Sequence, residues 1–303
     1  MVLFDLMEVP SQKGRIAVVT GANSGLGFET ALAFAKKDIR VVMACRSLER
    51  GVLARARILE QAPAADLEVM ELDLSRMGSV RNFAESYLRR YDRLDLLINN
   101  AGVMAAPYQE TEDGFEIHLA ANYLGHFLLT GLLTDTLLRT HRSRVVSLSS
   151  NAHYFGNIRM DDLHWKKRQY YSFFAYCQSK LACLVFAFEL QRRLEKTGAG
   201  TLSLAAHPGA TYTEIVKYYP EWIRFLAPVF APILTHPPDA AAEPTLYAAL
   251  GENVSGGQYF GPGGWLQFKG RARIVGSSRK SKDTRMAGRL WDVSEELTGI
   301  RFL

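Results

Sequence analysis

The chain has 303 residues, 48% of them hydrophobic and 22% charged, and a formal net charge of +5. This composition is typical of a globular protein and excludes a disordered chain, a collagen-like fibre and a small disulfide-rich scaffold. Three cysteines without a CxxC pair indicate reduced thiols and a cytoplasmic protein. We expect neither a signal peptide nor a membrane span, because no stretch reaches the roughly 20 uninterrupted apolar residues of a span.

The first 210 residues alternate between short apolar runs and longer segments of helical periodicity. Apolar runs without polar alternation are typical of strands that are covered on both faces, as in a parallel sheet. The sequence therefore predicts an α/β fold, a doubly wound parallel sheet of the Rossmann type, in a single domain spanning 1–303. Predicted strands are 16–20, 40–44, 67–72, 94–98, 144–148 and 202–207, and predicted helices are 25–37, 48–61, 77–91, 112–141 and 174–196.

The chain changes character near residue 210. Residues of about 210–238 are rich in proline, which excludes a long regular helix and predicts a short helical flap with loops. The apolar side chains of this flap either pack on the sheet edge or cover an apolar, fairly bulky substrate, and both interpretations stay open. These side chains include Trp222, Phe225, Leu226 and Phe230.

The C-terminal tail, residues of about 265–303, is basic. A charge run without interleaved aromatic residues is usually a solvated face and does not indicate a nucleic acid, while an acidic lipid or acidic substrate is the less favoured alternative. Leu290, Val293 and Leu297 follow helical spacing, and Gly299 would end the helix. We expect this last helix to pack back on the domain or on a partner subunit.

A glycine-rich turn, TGANSGLG at 20–27, follows the first predicted strand and opens a helix. Glycines let the chain turn tightly and bring bare backbone N–H groups against a phosphate at the helix N-terminus. The position at the first strand-to-helix turn favours dinucleotide binding over an ordinary glycine turn. The predicted contacts are Gly21, Asn23, Ser24, Gly25, Leu26 and Gly27.

The end of the second strand indicates which dinucleotide is bound. An acidic residue there would accept hydrogen bonds from a free ribose 2′-hydroxyl, but Arg46 and Ser47 stand there and the first carboxylate is Glu49. A guanidinium beside a hydroxyl suits a 2′-phosphate. We therefore predict NADP(H) rather than NAD(H), with a solvated loop arginine as the alternative.

Two later strand ends add candidate contacts, since ligands bind beyond the carboxyl ends of strands in such sheets. Asp73, followed by Leu74, would accept a hydrogen bond from the adenine amino group. Ala101 and Gly102 are small enough to let a cofactor lie close, and Asn99 either contacts it or ties neighbouring loops together.

A tyrosine and a lysine form the candidate catalytic pair. Tyr176 and Lys180 share one helical face, and a strand ending in Ser149 and Ser150 precedes them. A nearby ammonium favours the phenolate and lowers the pKa of a tyrosine toward the neutral range. Asn122 lies inside the predicted helix 112–141, where we expect a kink that frees a carbonyl to hold a water.

These motifs together resemble the short-chain dehydrogenase/reductase family over nearly the whole chain. The resemblance rests on the glycine turn, NNAG at 99–102, Asn122, Ser150, the Tyr176/Lys180 pair and Pro208-Gly209 with Thr213. ACR at 44–46, NYLGHF at 122–127 and SSNAH at 149–153 look like the retinol dehydrogenase and protochlorophyllide reductase-like branch. Membrane retinol dehydrogenases of this branch usually carry an N-terminal anchor, which we do not expect here.

The resemblance implies a role for each matched residue. Tyr176 is implied to be the general acid in reduction and the base in oxidation, and Lys180 to bind the nicotinamide ribose and lower the pKa of the tyrosine. Ser150 is implied to polarise the substrate carbonyl, with Ser149 as the alternative, and Asn122 to hold a proton-relay water. The implied contacts on the nicotinamide side are Pro208, Gly209, Thr211 and Thr213.

The expected protein is an NADP(H)-dependent oxidoreductase that interconverts a carbonyl and an alcohol on a small molecule. The family resemblance also implies a homodimer or homotetramer, paired through the helices of Asn122 and Tyr176.

A non-catalytic NADP(H)-sensing regulatory protein is an alternative, but it need not keep Ser150, Tyr176 and Lys180 together. A sugar-nucleotide epimerase would favour a GxxGxxG turn and a larger C-terminal domain. No histidine or cysteine spacing indicates a metal.

Overall fold

The computed structural model describes residues 4–209 and 238–303, which form one eight-stranded sheet with helices on both faces. The strands are β1 (Ile16–Thr20), β2 (Arg40–Cys45), β3 (Leu67–Glu71), β4 (Leu96–Asn99), β5 (Arg144–Leu148), β6 (Leu202–Ala206), β7 (Tyr259–Pro262) and β8 (Ala272–Ile274). The helices are α1 (Gly25–Ala35), α2 (Leu48–Gln61), α3 (Met77–Leu88), α4 (Gly125–Arg139), α5 (Ser172–Thr197), α6 (Pro238–Leu250) and α7 (Thr284–Thr298). The predicted fold class is confirmed.

The strand order is β3-β2-β1-β4-β5-β6-β7-β8, and only β7 and β8 pair antiparallel among these neighbours. β1 lies between β2 and β4, and all five of its residues are buried because helices cover both faces of the sheet. The chain crosses from one side of β1 to the other after β3. The carboxyl ends of β1 and β4 therefore flank the topological switch point, where open α/β sheets bind ligands.

Two apolar layers hold the helices on the sheet. On one face, α3, α4, α5 and α7 share a cluster that includes Phe83, Phe127, Phe186 and Trp291. On the other face, α1, α2 and α6 share a cluster that includes Phe28, Phe34, Ile58 and Leu246. The continuous apolar runs in the sequence follow from this arrangement, because each central strand contributes side chains to both layers.

The predicted element bounds are confirmed for two strands and for α2, and corrected for the long helix. The strands at 16–20 and 144–148 have the predicted bounds. The helix predicted over 112–141 starts too early, because Glu110 and Glu116 form an isolated bridge and a turn lies between them. The kink expected at Asn122 is a π-helical turn, Leu119–Leu124, in which the N–H of Gly125 bonds to the carbonyl of Ala120, five residues back.

The final helix is confirmed and packs back on the same chain. α7 begins after Asp283, whose side chain accepts from the N–H of Met286, and ends at Gly299, which has φ +65°. Trp291 is 1% exposed, and its ring centroid lies 5.0 Å from that of Phe127 and 4.7 Å from that of Phe302. α7 therefore covers part of the surface of α4 and α5 that we expected to pair subunits.

By length and composition, α5 is the one described helix that could cross a membrane. Of its most apolar window, 83% is buried inside the protein, as expected for the core helix of a globular fold. The flap predicted at about 210–238 falls almost entirely outside the described residues; only Pro238, the first residue of α6, is within them.

We predict that Trp291→Ala lowers the free energy of unfolding by about 3–5 kcal/mol, because truncating a fully buried ring removes its contacts and leaves a cavity. Urea unfolding followed by circular dichroism measures this difference. The matched control is Trp265→Ala, whose ring is 77% exposed and should change stability by no more than about 0.5 kcal/mol. Equal losses in the two variants would contradict the packing of α7.

Candidate active site

A cavity of about 380 Å³ lies at the switch point, beyond the carboxyl ends of β1, β4 and β5. It extends from the glycine turn to the face of α5, so one space joins predicted cofactor contacts to Tyr176 and Lys180, whereas Asn122 and Ser150 do not line it. The predicted residues that line it are Gly21, Asn23, Ser24, Leu26, Gly27, Arg46, Asp73, Leu74, Ala101, Gly102, Tyr176, Lys180 and Pro208.

The glycine turn adopts a backbone that suits small residues. Gly21 has φ +68°, in the left-handed region that favours glycine. A Cβ on Gly27 would lie 2.4 Å from the carbonyl oxygen of Gly21, so only glycine lets α1 begin against the turn. Ser24 precedes α1, and its side chain caps none of the helix N–H groups among the described residues. The positive end of α1 therefore stays available to an anion in the cavity.

Two arginines, rather than one, line the cavity beyond β2. Arg46 follows the strand and Arg50 lies in the first turn of α2. Neither guanidinium forms an ion pair with a carboxylate among the described residues, which leaves both charges available to a phosphate. The predicted contact Ser47 does not line the cavity. Its Oγ instead accepts the N–H of Arg50 at 3.3 Å and caps α2.

Asp73 lines the cavity in a fixed orientation, next to Leu74. Its Oδ1 accepts from the backbone N–H and from the hydroxyl of Ser75, at 3.0 and 2.6 Å. Oδ2 accepts no hydrogen bond from the described part of the chain. This oxygen is available to a donor such as an amino group on a ligand.

The loop after β4 places Asn100, and not Asn99, toward the glycine turn. The amide of Asn100 donates to the carbonyl of Thr20 at 2.7 Å. The amide of Asn99 donates to Oγ1 of Thr130 at 3.1 Å, on the other side of the sheet. Neighbouring side chains of a strand point to opposite faces, so only one of the two asparagines can reach the cavity. Asn99 therefore ties the end of β4 to α4, rather than tying neighbouring loops together as the sequence had left open.

Tyr176 and Lys180 lie on one face of α5, and both are buried and line the cavity. Nζ of Lys180 lies 5.9 Å from the ring centroid of Tyr176. It also donates to the carbonyl of Leu148, the last residue of β5, at 3.1 Å. This bond holds the ammonium at the carboxyl edge of the sheet, beside the tyrosine ring.

The two serines after β5 differ in what their hydroxyl groups do. Ser149 lines the cavity, but it donates its hydroxyl hydrogen to the carbonyl of Lys180 at 2.8 Å and so ties α5 to β5. Oγ of Ser150 accepts the N–H of Ala152 at 3.2 Å and donates to none of the described residues. Ser150 therefore keeps a hydrogen for a substrate oxygen, which favours it over Ser149 as the polarising residue.

The side chain of Asn122 fastens the loop that forms one cavity wall. Oδ1 accepts the N–H of Val103 at 2.7 Å, while Nδ2 donates to the carbonyl of Val103 and to Oγ of Ser179. The carbonyl of Asn122 lies 2.9 Å from Nδ1 of His126 and accepts from Sγ of Cys183 at 3.1 Å. Two side chains therefore already contact the carbonyl that we expected to hold a water.

His126 joins Asn122 to the glycine turn, and the sequence interpretation missed it. Because a carbonyl can only accept, Nδ1 of His126 carries the hydrogen, and Nε2 accepts from Oγ1 of Thr20 at 2.9 Å. Burial lowers the pKa of His126 to about 4, the nearby charge of Lys180 acts in the same direction, and the ring is neutral at pH 7. The available signal was the NYLGHF motif, which places this histidine four residues after Asn122.

A second buried cluster, also missed, holds the far end of the same loop. Nε2 of His118 accepts the N–H of Ala106 at 3.2 Å, and the hydroxyl of Tyr170 lies 3.2 Å from the carbonyl of Ala106 and 3.0 Å from Oε1 of Glu116. Burial alone would raise the pKa of Glu116, but bonds from the His118 ring and from backbone N–H groups outweigh it and lower the pKa. The His118 ring lies edge-on to Tyr176, with 6.3 Å between centroids.

The remaining predicted contacts shape the backbone or lie outside the described residues. Gly25 and Gly209 do not line the cavity and have φ of +55° and +78°. Thr211 and Thr213 lie outside the described residues, as do Trp222, Phe225, Leu226 and Phe230. Burial raises the pKa of the Cys45 thiol to about 11 and that of Cys177 to about 12, so neither is a thiolate at pH 7.

A family model described as short chain dehydrogenase matches residues 15–224. The chain belongs to the short-chain dehydrogenase family. It is 42% identical over 292 residues to retinol dehydrogenase 12 of Bos taurus, covering 95% of this chain and 88% of that protein. It is 37% identical over 302 residues to polyprenol dehydrogenase of Danio rerio, covering 98% and 91%. The retinol dehydrogenase-like branch that the motifs indicated is confirmed.

The fold agrees with this family. A crystal structure of an uncharacterized protein from Mycobacterium paratuberculosis superimposes with a TM-score of 0.82 at 40% identity, covering 100% of both chains. As a short-chain dehydrogenase, the chain is an oxidoreductase that binds a nicotinamide cofactor and interconverts an alcohol and a carbonyl of a small molecule. The cavity fits such a dinucleotide, because the uncapped end of α1 and the bare backbone at Gly21 and Gly27 suit a diphosphate.

We predict that the free energy of unfolding falls as the pH is lowered from 7 to 5. His126 has an ordinary pKa of 6.5 when unfolded and about 4 when folded, so the unfolded chain binds more protons in this interval. Burial lowers the pKa of His207 to about 3, with the same sign. Urea unfolding at the two pH values measures the loss.

The matched variant is His126→Gln, which no longer takes up this proton on unfolding. Its stability should fall by about 2 kcal/mol less than that of the unmodified chain between pH 7 and 5. Equal losses in the two proteins would show that His126 is not held neutral by burial.

Proposed function

We propose that this short-chain dehydrogenase uses NADP(H) and interconverts a ketone or aldehyde and an alcohol on an apolar, fairly bulky substrate. The observation that carries the proposal is a single cavity with an anion-accepting end and an acid–base end. The first contains the uncapped start of α1 with Arg46 and Arg50, and the second contains Tyr176 and Lys180.

The chemistry that a bound nicotinamide supplies is hydride transfer to or from the substrate carbon. The phenol of Tyr176 donates a proton to the carbonyl oxygen in reduction, and its phenolate removes the hydroxyl proton in oxidation. The ammonium of Lys180, held beside the ring by its bond to Leu148, favours the phenolate. Ser150 donates its remaining hydroxyl hydrogen to the same substrate oxygen and stabilises the charge that develops there.

Asn122 supports this site by holding the wall opposite Tyr176. Its side chain makes two bonds to Val103 and one to Ser179, the residue before Lys180. The loop and the catalytic helix are therefore fixed to each other through one amide. The proton-relay water implied for Asn122 stays a prediction, and its carbonyl would have to accept it beside His126 and Cys183.

The preference for NADP(H) is supported by charge. Beyond β2 the cavity presents two guanidinium groups without a carboxylate partner in the described part of the chain. A 2′-phosphate carries the charge that two such groups would bind, whereas a 2′-hydroxyl would leave both without an anion.

The apolar substrate is supported by the relatives and by the cavity wall. Retinol and polyprenol, after which these relatives are named, are both primary alcohols with long apolar chains. Val103 and Met104 present apolar side chains to the cavity, in the loop that Asn122 and His118 hold. An apolar wall next to Tyr176 suits an alcohol whose remaining atoms are hydrocarbon.

Two other functions are less well supported. A non-catalytic NADP(H) sensor would not need Ser150, Tyr176 and Lys180. In this chain Tyr176 and Lys180 line one cavity, and Ser150 lies beside it. A sugar-nucleotide epimerase would need a larger domain after β6 to hold a second nucleotide.

We predict that Tyr176→Phe lowers kcat by at least about 100-fold, because general acid–base catalysis loses its proton donor. NADPH absorbance with aldehydes and ketones of graded size measures turnover. NADPH binding, followed by nicotinamide fluorescence, should stay within about twofold, because the ring remains in place. Tyr171→Phe, at an exposed phenol five residues earlier, is the control and should keep normal turnover. Near-normal turnover of Tyr176→Phe would refute this mechanism.

We predict that Arg46→Ala and Arg50→Ala each weaken NADPH binding about tenfold, since each removes a charge-assisted contact to the 2′-phosphate. NADH binding should be unchanged, which makes the ratio of the two dissociation constants the measurement. Lys36→Gln, at the other end of α1, is the charge control. Tighter binding of NADH than of NADPH by the unmodified chain would overturn the assignment of NADP(H).

A further inference from the structure

The positive charge of the chain is concentrated in one short segment. Residues 269–289 contain eight lysine and arginine side chains and one acidic residue, a net charge of +7 against +5 for the whole chain. The exposed side chains of Arg279 and Lys282 form no ion pair with any described residue. The rest of the chain is therefore slightly acidic, and within the segment Arg271 is paired with Glu243 while Arg279 and Lys282 are not paired among the described residues.

The structure places residues 276–280 of this segment beside the candidate active site. The turn Asn151–Phe155 follows Ser150 directly, and residues 276–280 lie against it. The hydroxyl of Tyr154 donates to the carbonyl of Gly276 at 3.2 Å, and the N–H of Ser278 donates to Nε2 of His153 at 3.1 Å. Nζ of Lys280 donates to the carbonyl of Gly156 at 2.9 Å.

The same turn continues into an exposed aromatic surface. Phe155 is 66% exposed, and its ring centroid lies 6.2 Å from that of Phe173 at the start of α5. Phe174 contacts Phe173 at 5.6 Å and Tyr171 at 6.2 Å. These last three side chains are 44–52% exposed. Four large rings in contact with one another and with solvent are unusual on a soluble protein and mark an interaction site.

We propose that these two groups form one surface that docks on an anionic lipid bilayer. This aromatic–basic surface consists of Phe155, Tyr171, Phe173 and Phe174 together with Arg279, Lys280 and Lys282. A membrane of this kind presents anionic headgroups over an apolar layer, and the surface offers the complement of both. Nucleic acid is less suitable, because the four rings form one cluster and are not interleaved with the basic side chains as in a nucleic-acid-binding groove.

Docking in this orientation would bring the catalytic end of the cavity close to the bilayer. Phe174 lies two residues before Tyr176 on α5, and Phe155 lies five residues after Ser150. A lipid-soluble alcohol could then reach Tyr176 without passing through bulk water. This last step rests on the proposed function, whereas the docking itself does not.

The test measures vesicle binding of the full chain without cofactor or substrate, so it does not depend on activity. The chain is floated with vesicles of phosphatidylcholine alone and with vesicles that also contain phosphatidylserine. We expect binding to the anionic vesicles, a loss of this binding as salt is added, and weak binding to the neutral vesicles. Absence of binding to anionic vesicles would overturn the proposal.

Two sets of variants locate the surface. Arg279→Gln with Lys282→Gln should weaken binding to anionic vesicles by about tenfold or more, since each basic side chain near such a surface contributes about fivefold. Phe155→Ser with Phe173→Ser and Phe174→Ser should weaken binding to a similar extent, because the apolar contribution is lost. Circular dichroism checks that each variant is folded.

Matched controls remove the same groups elsewhere. Lys13→Gln with Lys36→Gln removes two exposed charges near the amino ends of β1 and β2. Val52→Ser with Leu53→Ser removes two exposed apolar side chains on α2. Both controls should bind like the unmodified chain. Equal weakening by controls and variants would refute the surface. Retention of the chain by single-stranded DNA, without vesicle binding, would assign the charge to nucleic acid instead.

Discussion

The hydroxyl of Thr20, the last residue of β1, joins the three parts of the candidate site. It accepts the N–H groups of Asn100 and Ala101, both at 2.9 Å, and it lies 2.9 Å from Nε2 of His126. The two accepted bonds use its lone pairs, so its hydrogen goes to the ring nitrogen, which has none of its own. A valine of the same shape would leave the buried Nε2 of His126 without its donor and the half-buried N–H of Ala101 without its acceptor, at about 1–3 kcal/mol each. The position therefore requires a hydroxyl and not only a β-branched side chain.

The π-helical turn Leu119–Leu124 makes the other half of this connection. Its wider backbone turns the side chain of Asn122 to Val103 while its carbonyl faces His126. His118, one residue before the turn, holds Ala106. The loop between Val103 and Ala106 is thus fastened at both ends, which explains how Ala105 keeps φ +52° without being glycine. The conformation of the loop that lines the cavity is therefore set by side chains at the start of the following helix, and not by the loop's own residues.

The fold could be predicted because parallel strands buried on both faces leave an unmistakable pattern of continuous apolar runs. The glycine turn and the Tyr176/Lys180 spacing were readable for a related reason, since each depends on short local geometry. Asn99 and Asn100 could not be told apart, because their directions depend on the register of β4 against β5. A kink was expected at Asn122 but its π-helical form was not, and the short strand β7 was missed. The first results from contacts distant in sequence, and the second contains Gly261 and Pro262, which argue against a strand.

The C-terminal quarter of the chain uses its two halves differently. Residues 276–282 place basic side chains on the side of the protein that holds the candidate active site. α7 and the residues after it complete the apolar layer over α4 and α5. A second subunit on that layer would have to displace Trp291, whose ring is enclosed by Phe127, Phe186 and Phe302. Truncating such a buried ring costs about as much free energy as truncating an important residue at the centre of a protein–protein interface. The expected dimer through α4 and α5 stays a prediction, and the packing of α7 on part of that surface disfavours it.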